Sequence, residues 1–143
     1  MRRKNWQPNE DGSLVQDLNS NYGNWFDYPN GRSSDISTDQ TYHGDFAFQA
    51  RETQVMRNYL RAHKFHIAIN YHSFGGFWIH GNTVPTYTSS SIDSAIIKTT
   101  GACATRHDFY EVGTPNETVS YHGNGTVEDC CLAGDVGFRS PLY

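Results

Sequence analysis

Residues 66–76, HIAINYHSFGG, constrain this chain more than any other stretch. Ile67, Ile69 and Tyr71 alternate with Ala68, Asn70 and His72, the period-two pattern of a strand whose faces meet different surroundings. Ser73, Gly75 and Gly76 then stop it. In open α/β sheets ligands bind beyond the carboxyl ends of the strands, so the pattern predicts a strand that carries His72 to a ligand-facing end. On the residues alone, a lone histidine in that position is more often a hydrogen-bonded structural residue than a ligand.

A strand needs partners, and the flanking sequence supplies helices more readily than strands. Val55, Met56, Tyr59 and Leu60 recur at helical spacing, with Glu52 early and Arg57, Arg61 and His63 late, a charge order that suits the helix dipole. The spacing predicts a helix over 50–63. A polar linker over 81–91 leads to a second predicted amphipathic helix, with serines placed to cap it and Ile92, Ala95, Ile96, Thr99 and Cys103 on one face. Residues 77–79 read as a short strand extension, 109–112 as another strand, and 113–125 as loop. Residues 5–44 are rich in Asn, Asp, Gly, Ser and Pro and read as loop over most of their length. Their aromatic residues argue for an ordered surface that lines something rather than for disorder. The alternation of helix and strand predicts an α/β fold. Two good strands do not make a stable sheet, so the pattern also reads as a piece of a larger domain.

With 143 residues the chain is one domain at most. Its net charge of −4 and pI near 5.9 leave no basic face to neutralise phosphates, which excludes nucleic acid as an expected partner. No run approaches the roughly 18 apolar residues of a membrane span, so no membrane partner is expected. The first residues lack the apolar region of a signal peptide, and the chain as written would be made in the cytosol. Cys103 and the adjacent pair Cys130 and Cys131 have neither disulfide-framework nor zinc-ribbon spacing. Asn116-Glu117-Thr118 and Asn124-Gly125-Thr126 match the glycosylation acceptor pattern, which matters only in a secreted protein.

Several separated motifs fall in a telling order: Arg3-Lys4-Asn5, then Asp17-Leu18-Asn19-Ser20-Asn21-Tyr22-Gly23, Thr41-Tyr42-His43-Gly44, Glu52-Thr53-Gln54 and Asn70-Tyr71-His72-Ser73. Glu117-Thr118-Val119-Ser120-Tyr121 follows, with Asn124-Gly125 and Glu128-Asp129 behind it. This order resembles the zinc metallocarboxypeptidases of the carboxypeptidase A and B type, enzymes that remove C-terminal residues from peptides. The resemblance covers residues 1–143, matching about the middle half of that family's catalytic domain. It implies a mixed, mostly parallel sheet with flanking helices, here incomplete, and a zinc ion held by two histidines and a glutamate. It places His72 as the third zinc ligand and Arg3 as the residue that polarises the scissile carbonyl and stabilises the oxyanion. Asn19 matches a group that grips the substrate's terminal carboxylate, and Tyr121 the mobile tyrosine that closes over it. Glu128 falls at the specificity position, where an acid goes with a preference for C-terminal Lys or Arg. The implied partner is a peptide or protein C-terminus, and family members are often secreted.

Three departures bear on activity. The family's first two zinc ligands come from an H-x-x-E motif, and no histidine here is followed three residues later by glutamate. His63 and His66 are spaced i, i+3, but they sit at a helix–strand seam and are set aside as a substitute pair, while His43, His80, His107 and His122 read as surface or structural. Ser20 stands where the family has the arginine that pairs with the terminal carboxylate, so a charge-assisted bidentate contact is replaced by one hydroxyl. After Pro141 the resemblance implies the general-base glutamate, and the chain has Leu142, whose side chain cannot take a proton. The expectation is a chain that does not hydrolyse peptides as given and that, on its own, does not stably hold the zinc used by the family. The alternatives are a truncated form of an active enzyme, a non-catalytic module that binds peptide C-termini, and a decayed gene fragment.

Overall fold

Glu52, Thr53 and Gln54 each use a polar side chain to fasten the start of the first helix, α1 (Arg51–Ala62), to the long N-terminal loops. The computed structural model describes residues 3–6, 8, 12, 16–65, 67–81 and 91–133; His66, most of the 81–91 linker, and Pro141 and Leu142 lie outside them. Both carboxylate oxygens of Glu52 accept from Asn5 Nδ2 at 3.2 Å. Thr53, 1% exposed, donates to Asn21 Oδ1 at 2.8 Å, and Gln54 Nε2 donates to the Phe48 carbonyl at 2.9 Å. The loops are ordered from within by the same means. Asn21 is fully buried, its Nδ2 donating to the carbonyls of His43 and Phe46, and its Oδ1 accepting from the Ala50 amide as well as from Thr53. Asn124 Nδ2 donates to the Phe26 carbonyl and to Ser33 Oγ, and its Oδ1 accepts from the Ser33 amide. Buried backbone polar groups need partners, and in this irregular half of the fold asparagine side chains supply them. Burial of Asn124 at 4% exposure also closes that acceptor position to a glycan, whereas Asn116 is exposed.

β1 (Phe77–Ile79) and β2 (Glu111–Gly113) pair in parallel, with Phe77 opposite Glu111, Trp78 opposite Val112 and Ile79 opposite Gly113. A parallel pair requires a long crossover, which α2 (Ser91–Ala104) provides. The helix lies so close to the sheet that a Cβ on Gly101 would sit 2.7 Å from Val112 Cγ1 and 2.9 Å from Trp78 Cδ1. Two short helices follow, α3 (Pro115–Val119) and α4 (Val127–Ala133). This is a small α/β fold, a parallel sheet with flanking helices, as the element pattern predicts.

Two local expectations are corrected, and two helices turn their apolar faces outward. Residues 67–76 are not part of a sheet; they run exposed into β1, with Ile67 71%, Tyr71 89% and Phe74 97% exposed. Alternation predicts a pleat but cannot create the neighbouring strands that hold one, and among the described residues only β2 pairs with this edge. The apolar face of α2 is exposed, Ile92 at 62% and Ile96 at 52%, while Gly101 and Thr105 are buried. The apolar stripe of α1 is likewise outward, with Val55, Met56 and Tyr59 exposed and Thr53 buried. Finally, 113–125 is not all loop: Thr114 accepts from the Glu117 amide while Glu117 Oε2 accepts from the Thr114 amide at 2.8 Å, a reciprocal cap that starts α3 with Pro115 in its first turn.

The apolar core is small. Tyr22, Phe48 and Cys130 cluster with Ala47 and Val127 around them, and the Tyr22 and Phe48 rings meet edge to face at 5.8 Å. Burial, with Cys130, Cys131 and Glu128 nearby, pushes the Tyr22 hydroxyl up to about 12. Phe26 and Tyr42 are buried separately under the loops.

Candidate functional site

Asp17 organises the first part of the site. Its Oδ2 accepts from Arg3 Nε at 3.1 Å and Nη2 at 2.9 Å, and its Oδ1 accepts from the Asn19 amide at 3.3 Å. One carboxylate therefore fixes the Arg3 guanidinium and caps the single 3₁₀ turn, Leu18–Ser20, that carries Asn19 and Ser20. The turn is pinned from the other side by Gly125, which sits at φ +60°. A Cβ there would lie 2.4 Å from the Ser20 carbonyl oxygen, so glycine is required on both conformational and steric grounds.

The second part joins the extended segment to α4. Thr126 accepts from the Asp129 amide at 3.3 Å and so caps α4, which places Glu128 in its first turn facing His72. Glu128 Oε1 lies 3.2 Å from His72 Nε2 and 2.9 Å from Asn70 Nδ2, and Asn70 Nδ2 is itself 3.0 Å from His72 Nε2. The hydrogen bond to Glu128 raises the His72 imidazole above its ordinary value against the opposing effect of burial. Burial pushes the Glu128 carboxyl up, but bonds from His72, from its own backbone and from Asn70 outweigh it, and the net shift is downward. The charges of Arg3 and Asp17 also act, more weakly, on His72.

Tyr121 follows Ser120, the left-handed residue (φ 61°) that ends α3. Its ring lies 4.4 Å from the guanidinium of Arg32, and the Arg32 amide donates to the His122 carbonyl at 3.1 Å. The structure thus brings His72 and Glu128 together, joins Arg3 and Asn19 through Asp17, and gives Tyr121 a partner outside the motif set. Asn70, Asp17 and Arg32 are the residues that sequence reasoning did not single out. Asn70 and Asp17 stood inside quoted motifs; nothing in the sequence marks Arg32.

A family model described as zinc carboxypeptidase matches residues 1–136. The chain belongs to the zinc carboxypeptidase family. Among solved structures it is similar to carboxypeptidase A from Helicoverpa armigera, at 25% identity and a TM-score of 0.74, over 91% of this chain and 34% of that one. Bovine thrombin-activatable fibrinolysis inhibitor, solved in complex with tick carboxypeptidase inhibitor, shares the fold at 20% identity and a TM-score of 0.75, over 94% of this chain and 48% of that one. The chain thus spans between a third and a half of the length of those relatives. Curated proteins include no match to it.

The family name implies zinc, which a catalytic site holds with three protein ligands and an open position. Among the described residues no three His, Cys, Asp or Glu side chains gather as a metal cluster. Of the two histidines and one glutamate that the resemblance implies, the described residues contain His72, whose ring nitrogen already meets Glu128 and Asn70. The family's own donor set does not fit the residues present.

Proposed function

We propose that this chain is a non-hydrolysing member of the zinc carboxypeptidase family. The observation that carries the reading is the engagement of His72 Nε2 by Glu128 at 3.2 Å. The serine at position 20 supports it, because a lost charged contact to a substrate carboxylate costs on the order of 2 kcal/mol. Arg3 supports it too: both of its bonds go to one Asp17 oxygen, so its charge is partly spent before any carbonyl arrives. The test is incubation of the purified, zinc-supplemented chain with peptides ending in Lys, Arg or Phe. No release of the terminal residue above buffer is expected, and turnover defeats the proposal.

A second reading, capture of peptide C-termini without turnover, is favoured by Arg32. Its guanidinium beside the Tyr121 ring puts a permanent cation next to the tyrosine that the resemblance assigns to the terminal carboxylate, where Ser20 offers none. A peptide with a free C-terminus should then bind more tightly than its amide, and Arg32→Ala should abolish the difference. Equal binding of acid and amide would remove this reading.

A further inference from the structure

Residues 23–29 fold around a cleft of about 400 Å³ that takes no part in the site described above. That volume lies in the range of small-ligand sites. Of the lining residues Gly23, Trp25, Phe26, Asp27, Tyr28 and Pro29, three are aromatic, and the one charge is the exposed Asp27. Successive turns fix the cleft's shape: the amides of Phe26, Tyr28 and Gly31 donate to the carbonyls of Gly23, Trp25 and Tyr28. Asn124 Nδ2 holds the Phe26 carbonyl at 2.9 Å. Trp25 stands at φ 57°, in the left-handed region. That conformation is costly for a bulky residue and is concentrated at ligand-binding positions.

The lining decides what kind of ligand fits. Aromatic faces attract cations, and the charges behind the Phe26 wall favour the same sign. Phe26 packs 4.3 Å from the ring of His43, on which the carboxylates of Asp27, Asp35 and Asp45 act in the direction that favours a positive charge. The supply of acceptors then narrows the choice of cation. A primary ammonium brings three N–H donors and a guanidinium five, and donors drawn out of water need acceptors. The carbonyls of Gly23, Trp25, Phe26 and Tyr28 already accept hydrogen bonds within the fold, which leaves little for such donors besides the Asp27 carboxylate. A cation whose N–H groups are replaced by methyl groups brings no donors and buries apolar surface against the rings.

We propose that this cleft binds a trimethylammonium group, the cation of choline and of trimethylated lysine, with Trp25, Phe26 and Tyr28 as its walls and Asp27 as its counter-charge. Hydrolysis of peptides by the chain would overturn the function proposed above and leave the cleft standing. NMR titration of the isotope-labelled full chain with choline chloride should give saturable shifts centred on the amides of residues 23–28. The neutral isostere 3,3-dimethyl-1-butanol should bind about tenfold more weakly, and so should ethanolamine, which carries its charge on N–H groups. Asp27→Asn should weaken choline binding about threefold and Tyr28→Leu about tenfold. If Tyr28→Leu does not fold, Asp27→Asn decides, because Asp27 is exposed. A short peptide carrying trimethyllysine that binds more tightly than choline assigns the cleft to a modified protein segment, and the reverse order assigns it to a free choline compound. Equal binding of choline and dimethylbutanol overturns the proposal, since the cleft is then only apolar. Equal binding of choline and ethanolamine overturns it too, as does an affinity indifferent to Asp27→Asn or the absence of saturable shifts.

Discussion

Asn21 satisfies four hydrogen bonds from a position with no solvent contact, and it does so between three segments that otherwise share little apolar surface. Asn21→Ala leaves two carbonyls, an amide and a hydroxyl without their partner, and should cost at least about 2 kcal/mol, read as a shift in the urea midpoint. His43 is a second sensitive residue. Burial lowers its imidazole against the raising influence of Asp27, Asp35 and Asp45, and the Phe26 ring packs 4.3 Å from it. The unfolded chain therefore takes up the proton first as pH falls. Stability should be full above about pH 6.5 and decline below it, and a melting series from about pH 7.5 to about pH 5.5 should flatten in His43→Gln. Residue types and order drew attention to Arg3, His72 and Glu128 in the sequence. The partners of those residues were not legible, because the contacts of Arg3 with Asp17 and of Glu128 with Asn70 depend on how distant loops close.

Elements with local causes could be read from the sequence, and those with distant causes could not. α1 and α2 follow from their spacing, and the cap of α3 was written in Thr114-Pro115-Asn116-Glu117, a local signal that a Gly-rich neighbourhood masked. The supposed strand at 67–76 failed for the opposite reason, since its alternation was sound and its pairing partners are not among the described residues. The orientation of α2 was likewise invisible: a glycine sits against the sheet and the isoleucines face out. Gly101→Ala tests that packing. Relief of helix entropy would gain about 0.5–1 kcal/mol, but a Cβ 2.7 Å from Val112 Cγ1 meets a close-packed wall that costs about 1–3 kcal/mol. Net destabilisation of about 1–2 kcal/mol is expected from chemical denaturation.

At the scale of the whole molecule, outward apolar residues accumulate: Val55, Met56 and Tyr59 on α1, Ile67, Ile69 and Phe74 ahead of β1, Ile92 and Ile96 on α2. Exposed apolar groups on this scale bind hydrophobic dyes and promote association. The purified chain should enhance ANS fluorescence under native conditions, and Ile92→Ser with Ile96→Ser should reduce the signal without lowering the melting temperature. An unchanged signal would mean that these faces are covered in solution.

The asparagine clamps have a thermal consequence. Among the described residues the buried set holds more polar side chains than apolar ones. Apolar groups released on unfolding raise the heat capacity, while polar groups lower it. Scanning calorimetry should therefore give a heat-capacity increment below the usual ~12–15 cal/mol/K per residue, and a stability curve that is low and broad, changing little between a cold room and body temperature.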